Sequence, residues 1–290
     1  MANIKDLKKK IKSTKGTLKI TSAMKLVSAA KLAKAQLAIT SSRPYANELE
    51  NTIKIAATLA QSYTHPYLKE NKNKQALVLV ISSDRGLCGG YNSQLAKQVR
   101  SFVKLNESEM EYKFYFIGKK VRDIIKKEVN VGKTYTFEKN EPSFTEIEKI
   151  AKELGDLFSL GEYGKIFVAY NVFKSAIAFN PIIRQLLPMT LDQEEQKKIE
   201  ANFAFDFKYE PGAVEILDKL VPDTYANTIF TCCLDSVAAE HGSRMSAMDN
   251  ASGNCKEAIR SLTLKMNKLR QAAITTELIE VVSGAESLNG

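Results

Sequence analysis

The residues Ser83-Asp-Arg-Gly-Leu-Cys-Gly-Gly-Tyr-Asn92 form the stretch of this 290-residue chain best equipped for chemistry. A carboxylate, a guanidinium, a thiol and three glycines follow the apolar run Ala76–Ser82 and precede a helical pattern. That is where doubly wound sheets commonly hold phosphates. The spacing matches neither G-x-G-x-x-G nor the P-loop, because no Lys-Ser/Thr follows Gly90. A glycine-enabled tight turn that touches a partner is the better reading, with nucleotide binding as the minor one. Cys88 as a nucleophile would need a base, and His65 and His241 belong to other elements, so a structural thiol is favoured. The four cysteines (88, 232, 233, 255) have no metal spacing, and adjacent Cys232 and Cys233 diverge on a helix. A reducing, cytoplasmic compartment follows as the default. Glu194-Glu195 and the Glu146/Glu148 pair read as solvated surface. No catalytic residue, metal or cofactor is expected.

The net charge of +9 is local. Residues 1–35 hold ten lysines against Asp6 alone, and residues 36–290 balance at 32 bases and 32 acids. A uniformly basic nucleic-acid-binding protein is therefore excluded. The basic segment could face nucleic acid, an anionic membrane or an acidic protein. No aromatic precedes Tyr45, which weakens base stacking. Ala and Thr occupy much of the face opposite the lysines, where a membrane-surface helix needs large apolar groups. An acidic protein surface fits best. No apolar run reaches the ~18 residues of a membrane span. The N-terminus has no apolar h-region, so no secretory signal is expected, and the helical seam already under way at Ile4 argues against a transit peptide.

These residues need elements to position them. Ile4, Leu7, Ile11, Thr14, Leu18 and Thr21 step by three and four, the spacing of a coiled-coil seam. Cys255, Ile259, Leu262, Met266, Leu269 and Ala273 repeat it, Ile274, Leu278 and Val281 carry it onward, and Gly284 is the expected stop. Gly and Pro are scarce in both segments and frequent between them. Pro44 is expected to kink the first helix without ending it. The middle alternates strand and helix: strands at 76–82, 113–117, 134–137 and 165–170, helices at 93–105, 119–128 and 144–160, with 180–187 ambiguous. The predicted fold is α/β: an antiparallel coiled coil of long N- and C-terminal helices plus a central Rossmann-like three-layer domain. The boundaries are 1–63, 64–210 and 211–290.

Three stretches in register carry a family resemblance. Residues 269–286 (LRQAAITTELIEVVSGAE), residues 20–31 (ITSAMKLVSAAK) with 42–45 (SRPY), and residues 83–90 (SDRGLCGG) resemble the γ subunit of F-type ATP synthases, bacterial type. The match in order and spacing spans essentially the whole chain. The resemblance implies a non-catalytic rotor shaft, coupling proton-driven rotation of a membrane ring to sequential changes in the catalytic subunits. It implies α, β and ε subunits and the rotor-ring c subunits as partners, with no nucleic acid and no direct membrane insertion. Met24 matches the family's contact with an acidic β-subunit loop, and Lys9, Lys12 and Lys25 would attract such loops softly. Arg270 and Gln271 match polar catch residues, which Thr276 and Glu277 would support. Arg85 and Cys88 lie in a turn facing the β subunit, and Tyr209 and Glu210 resemble the rotor-ring contact. No cysteine pair lies between Gly118 and Gly212, so the thiol switch of the chloroplast form is not expected. The implied location is the cytoplasmic face of a bacterial inner membrane, peripherally bound. The competing reading is a coiled-coil adaptor with a nucleotide-binding α/β domain.

Overall fold

The computed structural model describes residues 4–59, 63–106, 110–138, 141–189, 201 and 212–288. Tyr209, Glu210 and the Glu194-Glu195 pair lie outside them. The chain divides into two compact units. One joins residues 1–28 to 245–290, and the other runs from Ala29 to Arg244. The expected boundaries instead follow chain position, separating helices from sheet. The helices α1 (Ile4–Leu59) and α5 (Ala213–Leu288) each contribute to both units, because their inner stretches bury apolar side chains against the sheet.

In the Ala29–Arg244 unit, five strands lie in the order β3-β2-β1-β4-β5. These are β1 (Gln75–Ile81), β2 (Glu111–Ile117), β3 (Asn130–Tyr135), β4 (Lys165–Ser175) and β5 (Ala178–Leu187). The first four pair in parallel, and β5 returns antiparallel to β4. That resolves the ambiguous stretch at 180–187. It also explains why Pro181 is tolerated there, since an edge strand can spare an N–H. Strand β1 is central, so both faces are covered and its sequence is continuously apolar. Leu77, Leu79 and Ile81 join α4 (Phe144–Ser159), α1 and α5 on one face. Val78 and Val80 join α2 (Tyr91–Asn106) and α3 (Lys120–Ile125) on the other. The three-layer expectation holds.

Two local details differ from expectation. Glu146, expected on the solvated surface, is half-buried and closes a capping box on α4. Its carboxylate accepts from the Ser143 hydroxyl at 2.5 Å and from the Glu138 N–H at 3.0 Å, while Ser143 Oγ accepts from the Glu146 N–H. Helix α5 runs through Gly284 to Leu288, since one glycine costs only about 1 kcal/mol of helix propensity. On the α4 face, a Cβ built on Gly155 would lie 1.7 Å from the Tyr67 hydroxyl. The Tyr67 ring is itself packed edge-on against Phe158 and Tyr225. Gly155→Ala should therefore destabilise the fold by about 1–3 kcal/mol, as overpacking does, and lower the thermal midpoint. An unchanged midpoint would show that Tyr67 moves freely.

In the other unit, the expected seam is present. Leu7 and Thr21 are buried and Ile4, Ile11, Thr14 and Leu18 half-buried, against half-buried Cys255, Ile259, Leu262, Met266 and Leu269 of α5. The stripe beyond Ala273 behaves differently: Ile274, Leu278 and Val281 are 52%, 61% and 70% exposed. Thr21 pairs with Ser252 and Lys25 with Asp249, so the antiparallel register puts Ile4 level with about residue 269. Among the described residues, α1 offers nothing for those later apolar groups to pack on.

Candidate partner-contact surfaces

The turn between β1 and α2 is built from below. Ser83 Oγ donates to the Arg85 carbonyl at 2.8 Å, and Asn92 Oδ1 accepts from the Ser83 N–H at 3.3 Å. From α5, Arg244 Nη2 donates to the carbonyls of Arg85 (3.2 Å) and Gly86 (3.3 Å), and Ser243 Oγ donates to that of Cys88 (2.6 Å). Arg244 is nearly buried and pairs with Glu240 at 2.7 Å. Burial pushes the Glu240 carboxyl up, and the Arg244 guanidinium opposes that rise. Arg244 Nη1 also lies 3.3 Å from His241 Nδ1. A guanidinium has no lone pair to offer, so Nδ1 accepts and the ring is neutral. Burial and the nearby Arg244 and Lys31 charges push the His241 pKa down to about 4.

This clamp occupies the crevice where a doubly wound sheet changes direction, at the carboxyl ends of β1 and β4. Ser236 of α5 accepts from the Asn171 N–H on β4, and Asn171 Nδ2 donates to the Tyr91 carbonyl at the start of α2. The chain's own helix therefore fills the position a dinucleotide would take. Cys88, expected at a partner face, is 2% exposed, with its thiol 3.1 Å from Asn92 Nδ2 and its pKa raised by burial. It supports the turn from inside. Arg85 is exposed as expected. Leu87, which the sequence reading passed over, is 65% exposed at φ +62°. A left-handed leucine is strained, and such strain persists only where the surroundings enforce it. Here the Arg244 hydrogen bond holds the Gly86 carbonyl just before Leu87, and the Ser243 hydrogen bond holds the Cys88 carbonyl one residue after it.

In the unit of residues 1–28 and 245–290, Lys9 and Lys12 are exposed and Met24 is half-buried. Lys25 is engaged by Asp249 at 2.7 Å, so part of its charge is answered within the chain. On α5, Arg270, Gln271, Thr276 and Glu277 are all exposed. At 3.6 residues per turn, Arg270, Gln271, Ile274, Glu277 and Leu278 share one face. Thr276 points away from that face, and its hydroxyl donates to the Ala272 carbonyl at 3.0 Å. The helix thus joins three of the four expected catch residues and sets Thr276 apart. Met24 lies level with about residue 249, so Arg270 stands about 30 Å further along the helix pair.

No helix among the described residues is long and apolar enough to cross a membrane, and no group of three or more His, Cys, Asp or Glu could hold a metal. A family model described as ATP synthase matches residues 3–288. The chain is 39% identical to the ATP synthase gamma chain of Geotalea uraniireducens, covering all of both chains. It is 42% identical to that of an Anaeromyxobacter species, over 99% of this chain and 100% of the relative. Among solved structures, its fold is similar to a chain of the Euglena gracilis mitochondrial ATP synthase OSCP/F1/c-ring assembly. That likeness has 20% identity and a TM-score of 0.69, and it covers 98% of this chain and 94% of the other. A chain of the Tetrahymena thermophila mitochondrial ATP synthase central stalk and c-ring matches at 24% identity and a TM-score of 0.60, covering 80% of this chain and 99% of that one. On sequence match along its whole length, this chain belongs to the ATP synthase gamma-chain family.

Proposed function

We propose that this chain is the central rotor shaft of an F-type ATP synthase, turned by a membrane rotor ring and turning inside a ring of α and β subunits. It is non-catalytic. Shaft angle selects among catalytic-site conformations of different nucleotide affinity, which is coupling through differential contact. The observation that carries this reading is the clamp at the sheet's switch point. In place of a nucleotide crevice, the α/β unit holds α5 through Ser236, Ser243 and Arg244, with Glu240 pairing Arg244 from within the same helix. Further ties join the same unit to α1. Lys31 and Lys34 both reach Glu141, at 3.3 and 2.8 Å, and Arg43 pairs with the buried Asp235 of α5 at 3.0 Å. A domain that receives torque and passes it to two helices needs such ties. An adaptor with a nucleotide site needs the crevice open.

In this reading Met24, Lys9, Lys12 and the remaining charge of Lys25 face acidic β-subunit loops, and Arg85 with Leu87 presents the turn to the hexamer. Arg270, Gln271 and Glu277 form the catch. The ε subunit and the c ring engage the α/β unit, with Tyr209 and Glu210 at the c ring. The complex sits at the cytoplasmic face of a bacterial inner membrane. Co-purification with an α/β hexameric ATPase tests the whole. A stable soluble oligomer that binds nucleotide without a hexamer would refute it.

Met24→Lys should uncouple the enzyme. A thioether slides past an acidic loop, whereas an ammonium there adds an ion pair that must break at every step. ATP-driven proton pumping per ATP hydrolysed should fall while hydrolysis persists. Equal pumping at an equal hydrolysis rate would remove Met24 from the contact.

A further inference from the structure

The β4–β5 hairpin stands clear of the rest of the sheet. Strand β1 pairs with β4 only as far as Ala169, whereas the β4–β5 ladder runs on to Ser175 and Ala178. A small separate core supports this overhang. Phe173 and Phe179 of the hairpin pack against buried Cys88, Tyr91 and Ala239, with the Tyr91 and Phe179 rings 5.9 Å apart. The same core carries the turn between β1 and α2. Hairpin and turn also rest on consecutive residues of α5. Ser243 holds the Cys88 carbonyl, and a Cβ built on Gly242 would lie 2.9 Å from the Ala176 carbonyl oxygen. The bare Gly242 backbone is therefore the seat of the hairpin tip.

Each tip breaks a local rule. Two-residue hairpin turns favour Asn and Gly, yet this one is Ala176-Ile177, and Ile177 is 82% exposed. Leu87 is exposed too, on a left-handed backbone that glycine would hold without strain. A lone exposed aliphatic side chain is ordinary. Two of them, on one satellite core and seated on adjacent residues of one helix, make a supported apolar surface. Breaches of local preference collect where a fold serves a partner. The rim indicates the kind of partner. The exposed charged side chains nearest in sequence to the tips are Arg85 and Lys174, and both are cationic. Such a surface fits an acidic segment that offers apolar side chains among its carboxylates.

We propose that the Ala176–Ile177 tip is a contact for an acidic loop of a catalytic subunit, working as a pair with Leu87. This rests on the rotor-shaft reading above and adds to it a surface on β4 and β5. A single apolar point lets a loop pivot, whereas two points fix where it rests. In the reconstituted complex, benzophenone maleimide on an Ile177→Cys/Cys255→Ala chain should photocrosslink to a catalytic subunit, within an acidic segment. The other three cysteines are buried, so the label is confined to position 177. Ile177→Asn should weaken assembly of the chain with the hexamer about tenfold, the scale of leaving one large aliphatic side chain unburied. The thermal midpoint of the free chain should be unchanged or raised, because the side chain is exposed and Asn suits the turn. Ile177→Leu should assemble as wild type. Lys174→Glu should weaken assembly as well, more at low salt than at high salt, where the added repulsion is screened.

Adducts to ε, to the c ring or to a second copy of this chain, with none to a catalytic subunit, would overturn the proposal. So would the absence of any adduct from a labelled complex that hydrolyses ATP at the wild-type rate. An Ile177→Asn chain that assembles as tightly as wild type would overturn it too. A lowered midpoint would make Ile177 a packing residue, and the adduct alone would then decide. Failure of the wild-type chain itself to assemble with a hexamer would instead refute the rotor-shaft reading and take this contact with it.

Discussion

Arg244→Ala should cost this chain about 3–5 kcal/mol of stability, the range for removing one partner of a buried ion pair. Alanine leaves the largely buried Glu240 carboxylate without its ion-pair partner, with only the more distant Lys31 charge to favour it. It also withdraws the donors that now satisfy the Arg85 and Gly86 carbonyls. Glu240 would then escape its desolvation by taking up a proton, so the loss should be smaller at low pH than at neutral pH. Arg244→Ala/Glu240→Leu should recover a good part of the loss, since no charge is then left unpaired. The same substitution frees the turn. With the Arg85 and Gly86 carbonyls unheld and only the Ser243 bond to Cys88 remaining, the left-handed leucine is freer to relax, and amide exchange across residues 85–91 should rise more than the global loss alone accounts for. Urea midpoints read the stability, and hydrogen exchange reads the turn. An Arg244→Ala chain with an unchanged midpoint would mean that the pair contributes nothing and that α5 is held by its apolar contacts alone.

That clamp is also where the sequence was least legible. The seam residues from Ile4 to Thr21 announce a helix pair through their spacing, and Ala76–Ile81 announces a buried strand through its unbroken apolar run. Both signals are local and periodic, and both elements form where they are expected. The role of Arg244 depends on contact with a turn about 160 residues away in sequence, and no periodicity carries that. Leu87 was passed over for a related reason. Its left-handed backbone is imposed by Arg244 and Ser243, so Leu87 reads as an ordinary turn residue until those partners are placed. Cys88 was drawn to the surface by the company of Arg85 and three glycines, yet the same turn geometry that exposes Leu87 rotates the thiol inward to Asn92. The exposure of Ile274, Leu278 and Val281 follows from a quantity that only the pairing of Thr21 with Ser252 supplies, the register.

Those exposed residues frame the second large effect. Arg270→Ala in the assembled complex should lower ATPase turnover about tenfold, the equivalent of about 1.4 kcal/mol and modest beside the 2 kcal/mol or more of a strong interfacial arginine. Among the described residues no carboxylate pairs with Arg270, so its charge is available to a partner. Its neighbours on the shared face, Gln271, Ile274, Glu277 and Leu278, supply both polar and apolar contact. The rate effect has a specific origin. A contact made equally well at every shaft angle would strengthen assembly and leave turnover untouched, because uniform binding lowers no barrier. A contact made only at certain angles lowers the free energy of those angles and of the catalytic state they select. Losing it should therefore reduce turnover while the subunit still co-purifies with the hexamer. Thr276→Ala should do neither, since Thr276 lies off that face with its hydroxyl satisfied by the Ala272 carbonyl. Steady-state ATPase rates of the two variants, each normalised to the amount of assembled complex, separate the cases. Equal rates for Arg270→Ala and wild type would remove Arg270 from the catch, and a loss of assembly in place of turnover would make the contact one that holds at every angle.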